Sequence, residues 1–176
     1  MTNIAITGHT SGIGKACVKH FNNDTIFGYS RSNGWNIQSP DKIVADIVAN
    51  NCTVFINNAY EGRAQRRLLE RLYSEWRNKP NIIVNIGSYI TDYPRLERNK
   101  DNEPWEYRVD KNDLRNTFRQ IAQENATCRV HLVSPGPVDT PMIDHIECDK
   151  LPAEKVAQAI GCAIKYSYLK EITVYV

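Results

Sequence analysis

Apolar residues along the chain fall into six short, nearly continuous runs separated by longer stretches in which they recur every three or four positions. The runs are Ile4 to Thr7, Thr25 to Tyr29, Cys52 to Asn57, Ile82 to Ile86, Val130 to Val133 and Ile172 to Val176, each the length of a strand covered on both faces. The stretches between them have helical spacing. Ile13, Ala16, Cys17 and Phe21 lie on one face of the first, and Ile43, Val44, Ile47 and Val48 on one face of the second, which opens at Ser39-Pro40 and should run to about Asn50.

A third amphipathic stretch, Gly62 to Asn78, carries Leu68, Leu69, Leu72, Tyr73 and Trp76 on one side, many charges on the other, and ends before Pro80. This helix is expected to be half exposed, and exposed Leu and Trp on it would support a homodimer. A fourth starts near Pro104 and buries Leu114, Phe118, Ile121 and Ala122. A fifth starts at Pro152 and buries Val156, Ala159, Ile160, Ala163 and Ile164.

Strands that alternate with helices argue for an open parallel sheet with helices on both faces, because parallel neighbours need long crossovers. One link breaks the pattern. Only Ser30 to Gly34 separate Tyr29 from Trp35-Asn36-Ile37, too few residues for a helical crossover, so the helix after the second strand, and with it a strand, is expected to be missing.

Composition narrows the setting. A chain of 176 residues with 41% hydrophobic content fits one domain spanning 1–176. A net charge of +2 with Lys and Arg scattered among acids points to no nucleic-acid or membrane partner. Cys17, Cys52, Cys128, Cys148 and Cys162 form no CxxC pair or metal spacing and read as reduced thiols. The start of the chain offers no signal-peptide pattern and no apolar stretch reaches membrane-spanning length, so a cytoplasmic protein is expected.

The turn after the first run reads Thr7-Gly8-His9-Thr10-Ser11-Gly12-Ile13-Gly14. Three glycines where a strand turns into a helix leave room for a pyrophosphate against the helix N-terminal amides, which points to a dinucleotide site. A P-loop is excluded, because His9 occupies its first glycine position and Ala16 its Ser/Thr position.

Tyr107 and Lys111 stand four apart at the head of a helix, so their side chains share a face, with Cβ atoms about 5 to 6 Å apart. An ammonium group there stabilises the phenolate and suits the tyrosine for acid/base work. Alone, this pair is common by chance and reads as a half-buried tyrosine beside a solvated lysine; it gains weight from its neighbours. Ser88 ends the strand Val84-Asn85-Ile86-Gly87, while Asn57-Asn58-Ala59 and Pro135-Gly136-Pro137-Val138-Asp139-Thr140 follow two others, all at the sheet edge where open α/β folds bind ligands.

In this order the motifs resemble those of the short-chain dehydrogenase/reductase family: Thr-Gly-x-x-x-Gly-x-Gly, Asn-Asn-Ala-Gly, a strand-end Ser, Tyr-x-x-x-Lys and Pro-Gly-x-Val-x-Thr. The resemblance covers nearly the whole chain and implies a Rossmann-like, doubly wound parallel sheet of about six strands. It implies an NAD(P)(H)-dependent oxidoreductase acting on a small carbonyl or alcohol, with Ser88, Tyr107 and Lys111 catalytic. Gly8, Gly12 and Gly14 fall at the pyrophosphate, with Ser11, Ile13, Asn58, Ala59, Pro135 and Gly136 among the cofactor contacts. Val138 and Thr140 fall near the nicotinamide amide, and Tyr107 and Lys111 also near the ribose.

Tyr60 replaces the glycine that closes Asn-Asn-Ala-Gly, and no asparagine stands at the helix position where many members keep a fourth catalytic residue. Asn36 and Ile37 are the matches for adenine contacts. Ser30-Arg31-Ser32 offers a cation and hydroxyls suited to a 2'-phosphate, so NADP(H) is expected over NAD(H). The Ser88 to Tyr107 insertion, with Tyr89, Tyr93, Arg95, Arg98, Lys100 and Trp105 in or beside it, should cover the substrate side, and the short link after Thr140 implies a shallow site. Two other readings stay open: a non-catalytic dinucleotide-binding sensor or scaffold, and a sugar-nucleotide reductase or epimerase, the latter suggested by the short second crossover.

Overall fold

The computed structural model describes residues 1–92 and 105–176. Six parallel strands form one sheet in the order β2-β1-β3-β4-β5-β6. They are β1 (Asn3–Thr7), β2 (Thr25–Tyr29), β3 (Val54–Asn57), β4 (Ile82–Ile86), β5 (Arg129–Pro135) and β6 (Glu171–Val174). The crossovers are α1 (Gly12–His20), α2 (Pro40–Ala49), α3 (Ala64–Trp76), α4 (Trp105–Ile121) and α5 (Ala153–Lys165).

The alternation of side chains along each buried strand divides the core in two. Ile4, Ile6, Val54, Ile56, Val84 and Val133 pack with Ala16 and Cys17 of α1 and Val156 and Ile160 of α5 on one face. Ala5, Phe55, Ile83 and Leu132 pack with Ile43 and Ile47 of α2, Leu68, Leu72 and Trp76 of α3, and Leu114 and Phe118 of α4 on the other.

The sheet stops at β2. After Tyr29 the chain makes a 3-10 turn, Arg31–Asn33, closed by Gly34 in the left-handed region at φ 86°, and passes directly into α2. The expected loss of a helix after the second strand is seen, and a strand is lost with it: α2 returns the chain across β1 to β3. Tyr29 anchors this shortcut by donating its hydroxyl to Asp46 of α2 at 2.9 Å and meeting Trp35 edge-on.

Helix α3 is half exposed, as its amphipathic pattern predicts, with its charged side outward and its apolar stripe inward. Leu68, Leu69, Leu72 and Trp76 are 0 to 1% exposed, because α3 packs on the sheet with α2 on one side and α4 on the other. These side chains belong to the core and supply no dimer surface. Pro104 and the insertion residues Tyr93, Arg95, Arg98 and Lys100 lie outside the described residues, so the expected cover on the substrate side does too. Among the described residues no helix is long and apolar enough to cross a membrane.

Candidate active site

Because every strand is parallel, all six carboxyl ends, and the turns that leave them, lie along one edge of the sheet. The glycine turn leaves β1, the second strand from the β2 end. Gly8 and Gly12 adopt φ of 69° and 48°, which only glycine takes without strain. A Cβ on Gly14 would come within 2.1 Å of the Gly8 carbonyl oxygen, so helix α1 starts flush against the turn. The missing side chains leave a notch over the first amides of α1, the kind of helix start that can hold an anionic group.

The turn is tied to its neighbour. The Thr7 hydroxyl oxygen accepts the backbone N–H of Asn58 at 2.9 Å and of Ala59 at 3.0 Å, and the Asn58 side chain donates to the Thr7 carbonyl at 3.0 Å. Thr140 lies opposite: a Cβ on Gly12 would come within 2.9 Å of its methyl group. Gly8, Gly12, Gly14, Asn58, Ala59 and Thr140 are thus brought together, with Ser11 and Ile13 at the start of α1. A cavity of about 320 Å³ opens beside Gly12, with Lys15, Lys19 and Lys150 in its wall.

At the β2 end Arg31 is exposed, and the turn that carries it is shaped by the Asn33 side chain, which accepts the Ser30 N–H at 2.9 Å and donates to the Gly28 carbonyl at 2.8 Å. The Asn36 side chain accepts the Gln38 N–H at 2.8 Å. The Ile37 side chain is buried in the α2/α3 core. Val138 is buried and bridges to Leu151 beside the Pro135-Gly136 turn.

Helix α4 runs from the β4 edge back toward β5, so its first turns stand over the same edge. Tyr107 is half-buried there, and its ring meets that of Tyr60, from the loop after β3. The Tyr60 hydroxyl donates to Asp110 at 3.0 Å; burial, and then this bond to an anion, push its pKa up to about 12. Lys111 Nζ lies 5.5 Å from the centre of each ring.

Lys111 is buried and reaches under the ring pair to the sheet. Its Nζ donates to the Gln65 side-chain oxygen and to the Ile86 carbonyl, both at 2.8 Å. Burial lowers its pKa to about 7, with nearby Asp110 working in the opposite direction. Gln65, from the first turn of α3, belongs to a fully enclosed polar group in which the Asn57 amide donates to Asn85 at 2.9 Å and to the Gln65 backbone carbonyl at 2.8 Å. Nothing in the motif reading pointed to Gln65; its i+8 distance from Asn57 was the only cue.

Ser88 follows β4, and its hydroxyl oxygen accepts the Ile90 N–H in the 3-10 turn Tyr89–Asp92. Arg115, one turn beyond Lys111 and two beyond Tyr107 on α4, fastens that turn: it donates to Thr91 at 2.9 Å, pairs with Asp92, and donates to Glu171 of β6 at 2.6 Å. Tyr89 stacks on Tyr175 just past β6. The helix that carries Tyr107 and Lys111 therefore also fixes the loop that carries Ser88.

No family model matches the sequence, and no curated protein does. Solved structures do match in fold. A short-chain dehydrogenase from Burkholderia cenocepacia in complex with NADP superposes with a TM-score of 0.81 at 17% identity, over 98% of this chain and 87% of that one. The 3-ketoacyl-(acyl-carrier-protein) reductase of Brucella melitensis complexed with NADH gives 0.79 at 16% identity, over 99% and 96%. The 3-alpha-hydroxysteroid dehydrogenase of a Pseudomonas species complexed with NADH gives 0.77 at 18%, over 99% and 95%.

Proposed function

From a fold shared with the short-chain dehydrogenases/reductases, we propose that this chain is a nicotinamide-dinucleotide-dependent oxidoreductase that interconverts a small carbonyl compound and its alcohol. One observation carries the reading: the glycine turn and the Tyr107–Lys111 pair, more than 90 residues apart in sequence, stand on the same edge of one sheet. The similar structures named above hold NADH or NADP, which supports the same cofactor class here.

The notch at Gly8, Gly12 and Gly14 fits a pyrophosphate, with Ser11 and Ile13 beside it. Arg31, Asn36 and Ile37 are proposed for the adenosine end, and Asn58, Ala59, Tyr107 and Lys111 for the ribose next to nicotinamide. Pro135, Gly136, Val138 and Thr140 are proposed for the nicotinamide side. Arg31, exposed at the end of β2, favours NADP(H) through its 2'-phosphate.

When bound, the dinucleotide supplies or accepts the hydride at the substrate carbon. In reduction, the Tyr107 hydroxyl gives its proton to the carbonyl oxygen as that hydride arrives, and in oxidation it takes the proton back. Ser88 donates a hydrogen bond to the same oxygen and holds it in place. The Lys111 charge lowers the cost of the Tyr107 phenolate.

The test is NADPH and NADH oxidation against a panel of aldehydes and ketones. Tyr107→Phe is expected to reduce turnover by about 100-fold or more with dinucleotide affinity nearly unchanged; unchanged turnover would end this assignment. A second reading, a dinucleotide-binding protein without turnover, is favoured by the Tyr60 ring packed against Tyr107. Tight NADPH binding with no turnover of any carbonyl would select it.

A further inference from the structure

Lys111 is enclosed, yet among the described residues no carboxylate touches its ammonium group. The partners it has are neutral oxygens, and one of them comes from a side chain. A glutamine amide has one acceptor and two donor hydrogens, and at ordinary precision its two ends look alike. Here the surroundings settle which end is which. The Gln65 nitrogen donates to the Asn57 carbonyl at 2.7 Å and to the Ile86 carbonyl at 2.9 Å. Turning the amide over would press its oxygen against two carbonyl oxygens and its nitrogen against an ammonium group.

We propose that Gln65 is the positioning residue for Lys111: two strand-end carbonyls hold its amide so that its oxygen fixes the lysine nitrogen beneath the Tyr107 and Tyr60 rings and governs how readily that nitrogen holds a proton. The proposal rests on the reading that Tyr107 and Lys111 act together, and it extends that reading to α3. Gln65 touches no reacting atom and works through Lys111.

The choice of a neutral amide has a physical consequence. A glutamate at this position would satisfy the same N–H but cancel the charge, leaving little field at Tyr107 and binding the lysine proton tightly. An apolar residue would leave a buried ammonium one acceptor short. Glutamine keeps the cation hydrogen-bonded and electrostatically uncancelled, so that Lys111 changes charge close to neutrality and its state is felt at the phenol above it. Among the described residues, the other charged or titratable groups around Lys111 are Asp110 on its own helix, tied to the Tyr60 hydroxyl and approached by Arg63 of the α3 start at 3.9 Å, and the two phenols.

The experiment follows the side-chain titration of Lys111 by NMR in protein labelled at the lysine ε-carbon, with Lys111→Met giving the assignment. Gln65→Glu is expected to raise the midpoint by about one pH unit or more, a tenfold gain in proton affinity, and Gln65→Met to lower it. Where turnover is measured, the limb of the pH–rate profile that belongs to Lys111 should move with it. Midpoints within about 0.3 unit of wild type in both variants, even with altered melting temperatures, would reduce Gln65 to a packing role and overturn the proposal. Should either variant not fold, the wild type still decides: the Gln65 side-chain amide resonances should shift with the Lys111 midpoint, and amide resonances indifferent to that titration overturn it. Loss of the oxidoreductase reading registers separately, as undiminished turnover in Tyr107→Phe.

Discussion

The ring of Tyr60 meets the ring of Tyr107 edge-on, their centroids 4.7 Å apart and their planes at 75°. Tyr60 stands where the motif Asn-Asn-Ala-Gly has no side chain, so a ring borders the space between the glycine turn and α4. Tyr60→Phe keeps the ring pair and loses the bond to Asp110, and should cost about 1 kcal/mol of stability in a urea melt. Tyr60→Gly loses the pair as well, a further 0.5–1.5 kcal/mol or so beyond the lost burial. If the ring narrows the dinucleotide site, calorimetry will show NADPH binding tighter to the Gly variant than to the Phe variant; equal affinities would place the ring clear of the cofactor.

Lys111 links stability to pH in a direction that can be stated in advance. Its pKa is lowered to about 7 in the fold, from an ordinary 10.5 in the unfolded chain. Between these values the unfolded chain binds a proton that the folded protein does not, so this group's contribution rises with pH from about 7 to about 10.5 and is constant below 7. The difference in unfolding free energy between wild type and Lys111→Met should therefore grow in favour of wild type as pH goes from 7 to 10. A difference flat across that range would mean that Lys111 is charged in the folded protein.

Two glycines separate crowding from backbone strain. Gly14→Ala sets a methyl group against the Gly8 carbonyl, 2.1 Å away, so the turn must open, and NADPH binding should fall below detection by calorimetry. Nothing lies within 4 Å of a Cβ on Gly34, but its φ of 86° is left-handed; Gly34→Ala should cost about 1–2 kcal/mol in a denaturant melt through strain alone. Wild-type NADPH affinity in Gly14→Ala would argue against the pyrophosphate notch.

Arg31→Ala tests the cofactor preference. Loss of a charge-assisted contact to the 2'-phosphate should weaken NADPH by about tenfold or more and leave NADH affinity unchanged. Equal loss for both dinucleotides would instead mean that Arg31 stacks on adenine.

The alternation of apolar runs and helical stretches located the six strands and five α-helices of the described residues, because a sheet covered on both faces writes continuous hydrophobic runs such as Ile82 to Ile86. The short link after Tyr29 announced the shortened crossover. Side-chain partners were less legible. Leu69 and Trp76 read as one apolar stripe, but the pattern does not say what covers it; α3 is flanked by α2 and α4 and buries the stripe within the domain. Gln65 read as one more polar residue in the run Ala64-Gln65-Arg66-Arg67, since helical spacing alone does not tell that its side chain turns back toward the ends of β3 and β4. Tyr107 and Lys111 were legible because a local i, i+4 rule brings them together; the Lys111–Gln65 bond depends on two helices meeting across 46 residues.

The shortened crossover has a consequence for dynamics. Among the described residues β2 has a neighbouring strand on one side only, β1, whereas β3 and β4 lie between two strands each. Among the described residues its amides that point away from β1 have no ladder partner, and their hydrogen exchange should be faster than in β3 and β4. The stiffness of this end comes from the Ser30–Asn33 knot and from Tyr29 against Trp35 and Asp46 rather than from a neighbouring strand. A ligand seated past β2 occupies the place of the absent strand, and the slowing of exchange along Thr25–Tyr29 when it binds is the signature to look for.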